Sequence, residues 1–151
     1  MKIVSQHALI SILVHDQDEA LQFYTEKLGL EVRRDITFAP GLRLVTVAPK
    51  GQLKPELALA RPDVAWHGEE RVRQVMAHVG QGVVSIFATD NCRREYEQLL
   101  ARGVRFTVAP TWHLYGLEAV FTDLYGNVFS LLEASSEVRS LPEMRHVDTA
   151  A

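Results

Sequence analysis

The chain has 151 residues, a length suited to one domain or to two small halves of one. Apolar residues make up 47% and charged residues 23%, ordinary globular values, and the net charge is −3 with no basic tract. That balance gives no footing for nucleic acid or an anionic membrane, no apolar run approaches the roughly 20 residues of a membrane span, and the lone Cys92 excludes an intrachain disulfide.

The opening MKIVSQHALISILVHD carries a lysine and an apolar run, but it lacks a small-residue cleavage site and leads into strand and helix signals. A reducing, cytoplasmic location is therefore expected. Ala8–Val14 is β-branched and apolar, which predicts a buried strand. Asp16 with Glu19 three residues on gives a helix start of capping-box type, Leu21, Tyr24 and Leu28 keep helical spacing, and Gly29 suits the left-handed stop. Strands follow at Leu30–Phe38, Leu42–Ala48 and Glu56–Ala60, separated by Pro-Gly turns. Residues 61–68 read as a loop, and Val72, Val75, Met76 and Val79 as a short amphipathic linker helix over about 68–80.

The first pattern then begins again. Val83–Ala88 is strand-like, Asp90 is an N-cap candidate, Cys92, Tyr96, Leu99 and Leu100 share a helical face, and Gly103 ends it. A buried, inert thiol is the expected state of Cys92. Strands Val104–Val108, Glu118–Thr122 and Val128–Leu132 complete the series, with Gly126-Asn127 in the last reversal because both residue types tolerate positive φ. Asp16 precedes Gly29 by 13 residues, and Asp90 precedes Gly103 by the same number. The period of 74 residues is too long for a solenoid and points to two βαβββ modules. Module one spans about 7–61, module two about 82–133, and together they form one domain over 1–133; residues 134–151 are a polar tail.

On the stretches ILVHDQDEALQFYTEKLGLEVRRD, LVTVAPKG with PELALA, ATDNCRREYEQLLARGVRF and YGLEAVFTDLYGNVFSLLE, the chain resembles the vicinal-oxygen-chelate superfamily. That superfamily includes glyoxalase I, extradiol dioxygenases and the bleomycin- and fosfomycin-resistance proteins. Within it, the sequence is most similar to small bacterial glyoxalase-like proteins of unassigned function, although DLYGN departs from the usual D-P-D-G-N turn. The resemblance implies an α+β fold in which two βαβββ modules form a cupped, eight-stranded mixed sheet. In metal-using members a divalent ion sits in the cup on one residue each from the first, fourth, fifth and eighth strands, where it polarises substrate oxygens.

Carried onto this chain, those four positions fall on Leu9, Glu56, Val84 and Ser130. Leucine and valine supply no ligand, so no metal or other cofactor is expected. A rearranged site from His7, Glu56 and His113 is the competing reading, against a rim role for His7 and a solvated or arginine-paired Glu56. By strand alternation Ser11 joins Leu9, Glu56, Val84 and Ser130 in a mostly apolar lining. Trp112, His113 and Tyr115 gather in the connection APTWHLYG, where they either stack on a flat ligand at the mouth or cover a sheet edge or dimer contact. Phe38 and Arg43 flank the second hairpin within reach of the same cup.

Three functions remain open from the sequence. One is a metal-independent binding protein that sequesters an aromatic metabolite or antibiotic, as a homodimer. Another is a lyase or dioxygenase with a rebuilt metal site, or a metal-free isomerase with Glu56 or His113 as base. The last is a vestigial cavity in a protein that binds a macromolecular partner.

Overall fold

The computed structural model describes residues 9–81 and 85–136. Module one runs β1 (Leu9–Leu13), α1 (Gln17–Gln22) with a π-helical continuation (Phe23–Lys27), β2 (Glu31–Ala39), β3 (Leu42–Ala48) and β4 (Glu56–Ala60). The linker carries α2 (Val64–His67) and α3 (Glu69–Met76). Module two runs β5 (Ser85–Ala88), α4 (Cys92–Ala101), β6 (Arg105–His113), β7 (Gly116–Thr122) and β8 (Val128–Ala134). Each module makes one mixed four-stranded sheet, ordered β1-β4-β3-β2 and β5-β8-β7-β6, in which only the first pairing is parallel.

The expected α+β architecture of two βαβββ units is thus what the chain adopts. Asp16 caps α1 as its spacing with Glu19 implied, its carboxylate accepting from the Glu19 N–H at 2.9 Å. In α4 the cap is Asn91, not Asp90: the Asn91 side chain accepts from the Arg94 N–H. The loop at 61–68 contains the single turn α2, capped by Asp63. Strand β6 runs on to His113 rather than stopping at Val108, passing Pro110 through a register shift that spares the missing N–H a ladder partner.

In the Asp123–Asn127 turn only Gly126 takes positive φ, at 84°. Asn127 instead turns inward and serves as a hub: its Nδ2 donates to the Leu13 carbonyl and to Asp123 Oδ2, and its Oδ1 accepts from the Gly80 N–H. The Tyr24 hydroxyl donates to the same Asp123 carboxylate at 2.8 Å. This buried knot ties the first helix, the first strand and the linker to the last hairpin. Burial, followed by the neighbouring Asp123 charge, raises the Tyr24 phenol far above its ordinary value.

One apolar core serves both modules. Ile12, Val14, Tyr24, Val45, Val47 and Leu59 of the first pack in one cluster with Val104, Phe121, Phe129 and Leu131 of the second. Tyr24 meets Phe129 edge-on at 6.1 Å, and Phe129 stacks on Phe121 at 5.4 Å. Each such buried side chain contributes about 1.5–3 kcal/mol relative to exposure. The core takes up the helix-facing side of both sheets; their other faces carry Glu56 and Glu118.

Candidate functional site

Strand alternation sends Leu57 and Leu59 of β4 into the core and leaves Glu56, Ala58 and Ala60 on the opposite face. Leu9 lies directly beside Glu56 in register, and Ser11 beside Ala58. The Glu56 carboxylate is already occupied: the fully buried Thr46 hydroxyl donates to Oε1 at 2.7 Å, and the Arg34 guanidinium stands 3.6 Å from Oε2. Arg34 and Thr46 are themselves a cross-strand pair, so one polar row crosses β2, β3 and β4. Leu44 and Ile36 form the next pair on that face.

The face of module two carries a different constellation. Glu118, in mid-β7, stands where Leu117, Ala119 and Phe121 alternate inward. Its carboxylate accepts from the Ser130 hydroxyl at 2.6 Å and from the Tyr115 hydroxyl at 2.9 Å, one bond to each oxygen. His113 Nε2 lies 3.7 Å from Oε1, and the His113 ring stacks on Tyr115 with centroids 4.9 Å apart and planes 6° from parallel. The bond to Glu118 raises the Tyr115 phenol above its ordinary value, because ionisation would set two anions side by side. Around this group Val108, Val120 and Ile86 leave the face apolar; Ile86 is 61% exposed.

Of the residues singled out from the sequence, the structure brings His113, Tyr115 and Ser130 together on one face and Leu9, Ser11 and Glu56 on the other module's. Three placements differ from expectation. Arg43 shares its strand face with the core residues Val45 and Val47 and turns toward the helix. There its Nε and Nη2 fork onto both Asp35 oxygens at 2.8 and 2.9 Å, and Nη1 reaches Asp18 of α1 at 2.7 Å. Trp112 pairs with Leu117 and shares its face, so it points away from His113. Phe38 sits at a register shift between the pairs Thr37↔Arg43 and Ala39↔Leu42, exposed at the tip of the hairpin. His7 and Val84 lie outside the described residues.

Glu118, Thr46 and Arg34 carried no expectation. The signal for Glu118 was present, since an acid in the middle of an apolar alternation needs a partner on its own face. Reading Glu118 as the first residue of the strand, rather than the third, concealed it.

Among the described residues the donors needed for a divalent ion do not come together on this face. Leu9 offers none, Ser130 is bonded to Glu118 and pairs with Ile86, and Glu56 is engaged by Thr46 and Arg34. His113 lies beside Glu118 and on a different module from Glu56. Among the described residues no three His, Cys, Asp or Glu side chains group as ligands. Cys92 is fully buried with its thiol raised, first by burial and then by Glu133, whose carboxylate accepts from the Cys92 N–H at the start of α4; it is poorly suited to be a nucleophile.

Comparison with known proteins accords with this architecture. YurT, an uncharacterized protein of Bacillus subtilis strain 168, is 34% identical over 134 residues, which is 88% of this chain and 99% of that protein. The crystal structure of UcmS2 superposes with a TM-score of 0.74 at 37% identity, covering 87% of this chain and all of that one. That of TnmS3, an antibiotic binding protein from Streptomyces sp. CB03234, superposes with a TM-score of 0.68 at 26% identity, covering 88% and 98%. The family model Glyoxalase/Bleomycin resistance protein/Dioxygenase superfamily matches residues 6–131, and the chain belongs to that superfamily.

Proposed function

We propose that the protein binds a small, partly aromatic molecule in the cup, without a metal ion, and holds it rather than transforming it. The observation that carries this reading is the chemistry of the open sheet faces. Leu9, Ile36, Leu44, Ile86, Val108 and Val120 supply apolar area, and a few fixed polar groups (Glu56 with Thr46 and Arg34, Glu118 with Ser130 and Tyr115) supply orientation. Small-molecule sites have that composition. The binding role named for TnmS3 supports the same reading at the level of the family.

The cup is completed by a second copy of the chain in a homodimer. On the ligand-side face of each sheet an apolar residue, Ile36 in one and Ile86 in the other, is exposed in the single chain, and closure against a partner buries that apolar surface. A cytoplasmic site of action and one domain over 1–133 belong to this proposal.

The test combines sedimentation with a thermal-shift screen of aromatic antibiotics and metabolites, run with and without a chelator. A dimer stabilised stoichiometrically by one chemical class, indifferent to the chelator, bears the proposal out. Product formation on prolonged incubation, lost in Glu118→Gln or restored only by a divalent ion, replaces it with the lyase or dioxygenase reading.

A further inference from the structure

Resting on the binding role just proposed, we infer that Glu118 selects the ligand by charge: the cup takes a flat aromatic molecule bearing a delocalised cation of amidinium or guanidinium type. Of Glu56 and Glu118, only Glu56 has an arginine or lysine beside it among the described residues. Glu56 has the Arg34 guanidinium at 3.6 Å. Glu118 has the Ser130 and Tyr115 hydroxyls, both neutral donors, and among the described residues neither lysine nor arginine pairs with it.

Among the described residues, the strands on either side of Glu118 add no lysine or arginine to it. Its own strand, GLEAVFT, carries no other charge. Across β8 its register partner is Leu132, across β6 it is Thr111, and among the described residues the titratable groups beside it are Tyr115 and His113. The side chain is 19% exposed, so a ligand that fills the face removes much of its remaining water. A carboxylate stripped of water without a counter-charge costs several kcal/mol. A ligand that brings the cation converts that cost into attraction, whereas an anionic ligand adds to it.

The geometry also specifies the shape of the cation. Among the described residues each oxygen of Glu118 accepts one internal hydrogen bond, and a carboxylate offers about four lone-pair sites, so each oxygen keeps one for a ligand. Two parallel N–H donors in a planar fork match that pair of vacant acceptors. The stacked rings of His113 and Tyr115, near-parallel at 6°, hold a flat surface beside the carboxylate. A planar cation conjugated with an aromatic ring meets both at once. In module one the row Arg34–Thr46–Glu56 is instead a closed ion pair, and among the described residues no stacked ring pair lies beside it.

The experiment uses three probes of one shape and three charges: a naphthalene carboxamidine, the matching carboxamide and the matching carboxylate. Their affinities are measured by calorimetry on the full chain and on Glu118→Gln, Glu118→Asp and Glu56→Gln, with melting curves to verify folding. Wild type and Glu56→Gln are expected to prefer the amidine to the amide by about ten- to a hundredfold, the range of one charge-assisted contact. Glu118→Gln is expected to erase that preference, read as the ratio of amidine to amide affinity within the variant, and Glu118→Asp to keep part of it. If the amide and carboxylate bind as well as the amidine, or the preference survives in Glu118→Gln, the charge inference falls and the cavity stands. If none of the three binds, the cavity reading falls with it.

Discussion

The two modules share a topology and differ in where they put their polar chemistry. In module one the acid is on the parallel-paired strand β4 and the hydroxyl on β3; in module two the hydroxyl is on β8 and the acid on β7. The third residue of β3 is Leu44 and that of β7 is Glu118, while the fifth residues are Thr46 and Val120. Acid and hydroxyl have traded strands, and only module one added an arginine. The helices differ too. Gly29 follows its cap Asp16 by thirteen residues, Gly103 follows Asn91 by twelve, and the additional residue is taken up in the π turn Phe23–Lys27, where the Leu28 N–H reaches back five residues to Phe23. A duplicated scaffold can thus keep its core while each half-site diverges, because sheet faces alternate independently of each other.

The largest expected effects test whether the modules share one core. Leu59 on β4 and Leu131 on β8 both sit in the common cluster. Truncating either to alanine should cost about 2–5 kcal/mol in urea unfolding, with a single transition in both variants. Two separated transitions would show that the halves fold apart and would break the comparison at its root.

Next in size is the knot that links them. Tyr24→Phe removes a buried bond to Asp123 and should cost about 1–3 kcal/mol at neutral pH. Its pH dependence has a definite sign. Burial pushes the Tyr125 phenol up to about 12, and burial with the Asp123 charge raises Tyr24 too. A folded-state value above the unfolded one means the stabilisation is complete below about pH 10 and is lost as pH rises through the folded value. Melting temperature measured from pH 8 to 12 should fall in wild type and fall less in Tyr24→Phe and Tyr125→Phe.

A smaller change sharpens the contrast between the half-sites. Arg34 is largely exposed, so Arg34→Met should cost roughly 0–1 kcal/mol in stability. It also leaves Glu56 without its counter-charge, in the condition of Glu118. Module one should then gain affinity for the amidine probe, and an unchanged affinity would mean that the His113–Tyr115 stack of module two is what the cation needs.

Most of the fold was legible because its signals are local: apolar alternation, glycine stops and the doubled period are carried by neighbouring residues. The candidate site was legible in part. Ser130 and Tyr115 stood out as polar residues in apolar company, but their common partner Glu118 depends on a strand boundary that moved by two residues. Arg43 and Trp112 were misplaced for a related reason. Which face a hairpin residue takes is fixed by cross-strand register and by bulges such as those near Phe38 and Pro110, and register is a long-range property. Equal thirteen-residue spacings for the two helices concealed the π turn, since a cap at Asp90 and a cap at Asn91 look alike in sequence.

The smallest effect separates the modules at their second strand positions, Arg43 in β3 and Leu117 in β7. Leu117 is buried, whereas Arg43 spans Asp35 and Asp18 at the surface. The hydrogen bonds from Arg43 hold the Asp35 carboxyl below its ordinary value. A depressed folded-state value makes this stabilisation present above the unfolded carboxylate range, about pH 4, and lost as pH falls through the folded value. Asp35→Asn should therefore lower the melting temperature slightly at neutral pH and converge with wild type in the acid limb below about pH 4. Because the pair is solvent-screened, added salt should shrink the neutral-pH difference. Leu117→Ala, which replaces apolar area in the other module, should show neither the acid convergence nor the salt dependence. If both variants respond to acid and salt alike, the two strand positions are held by the same forces, and the divergence of the modules is confined to the cup.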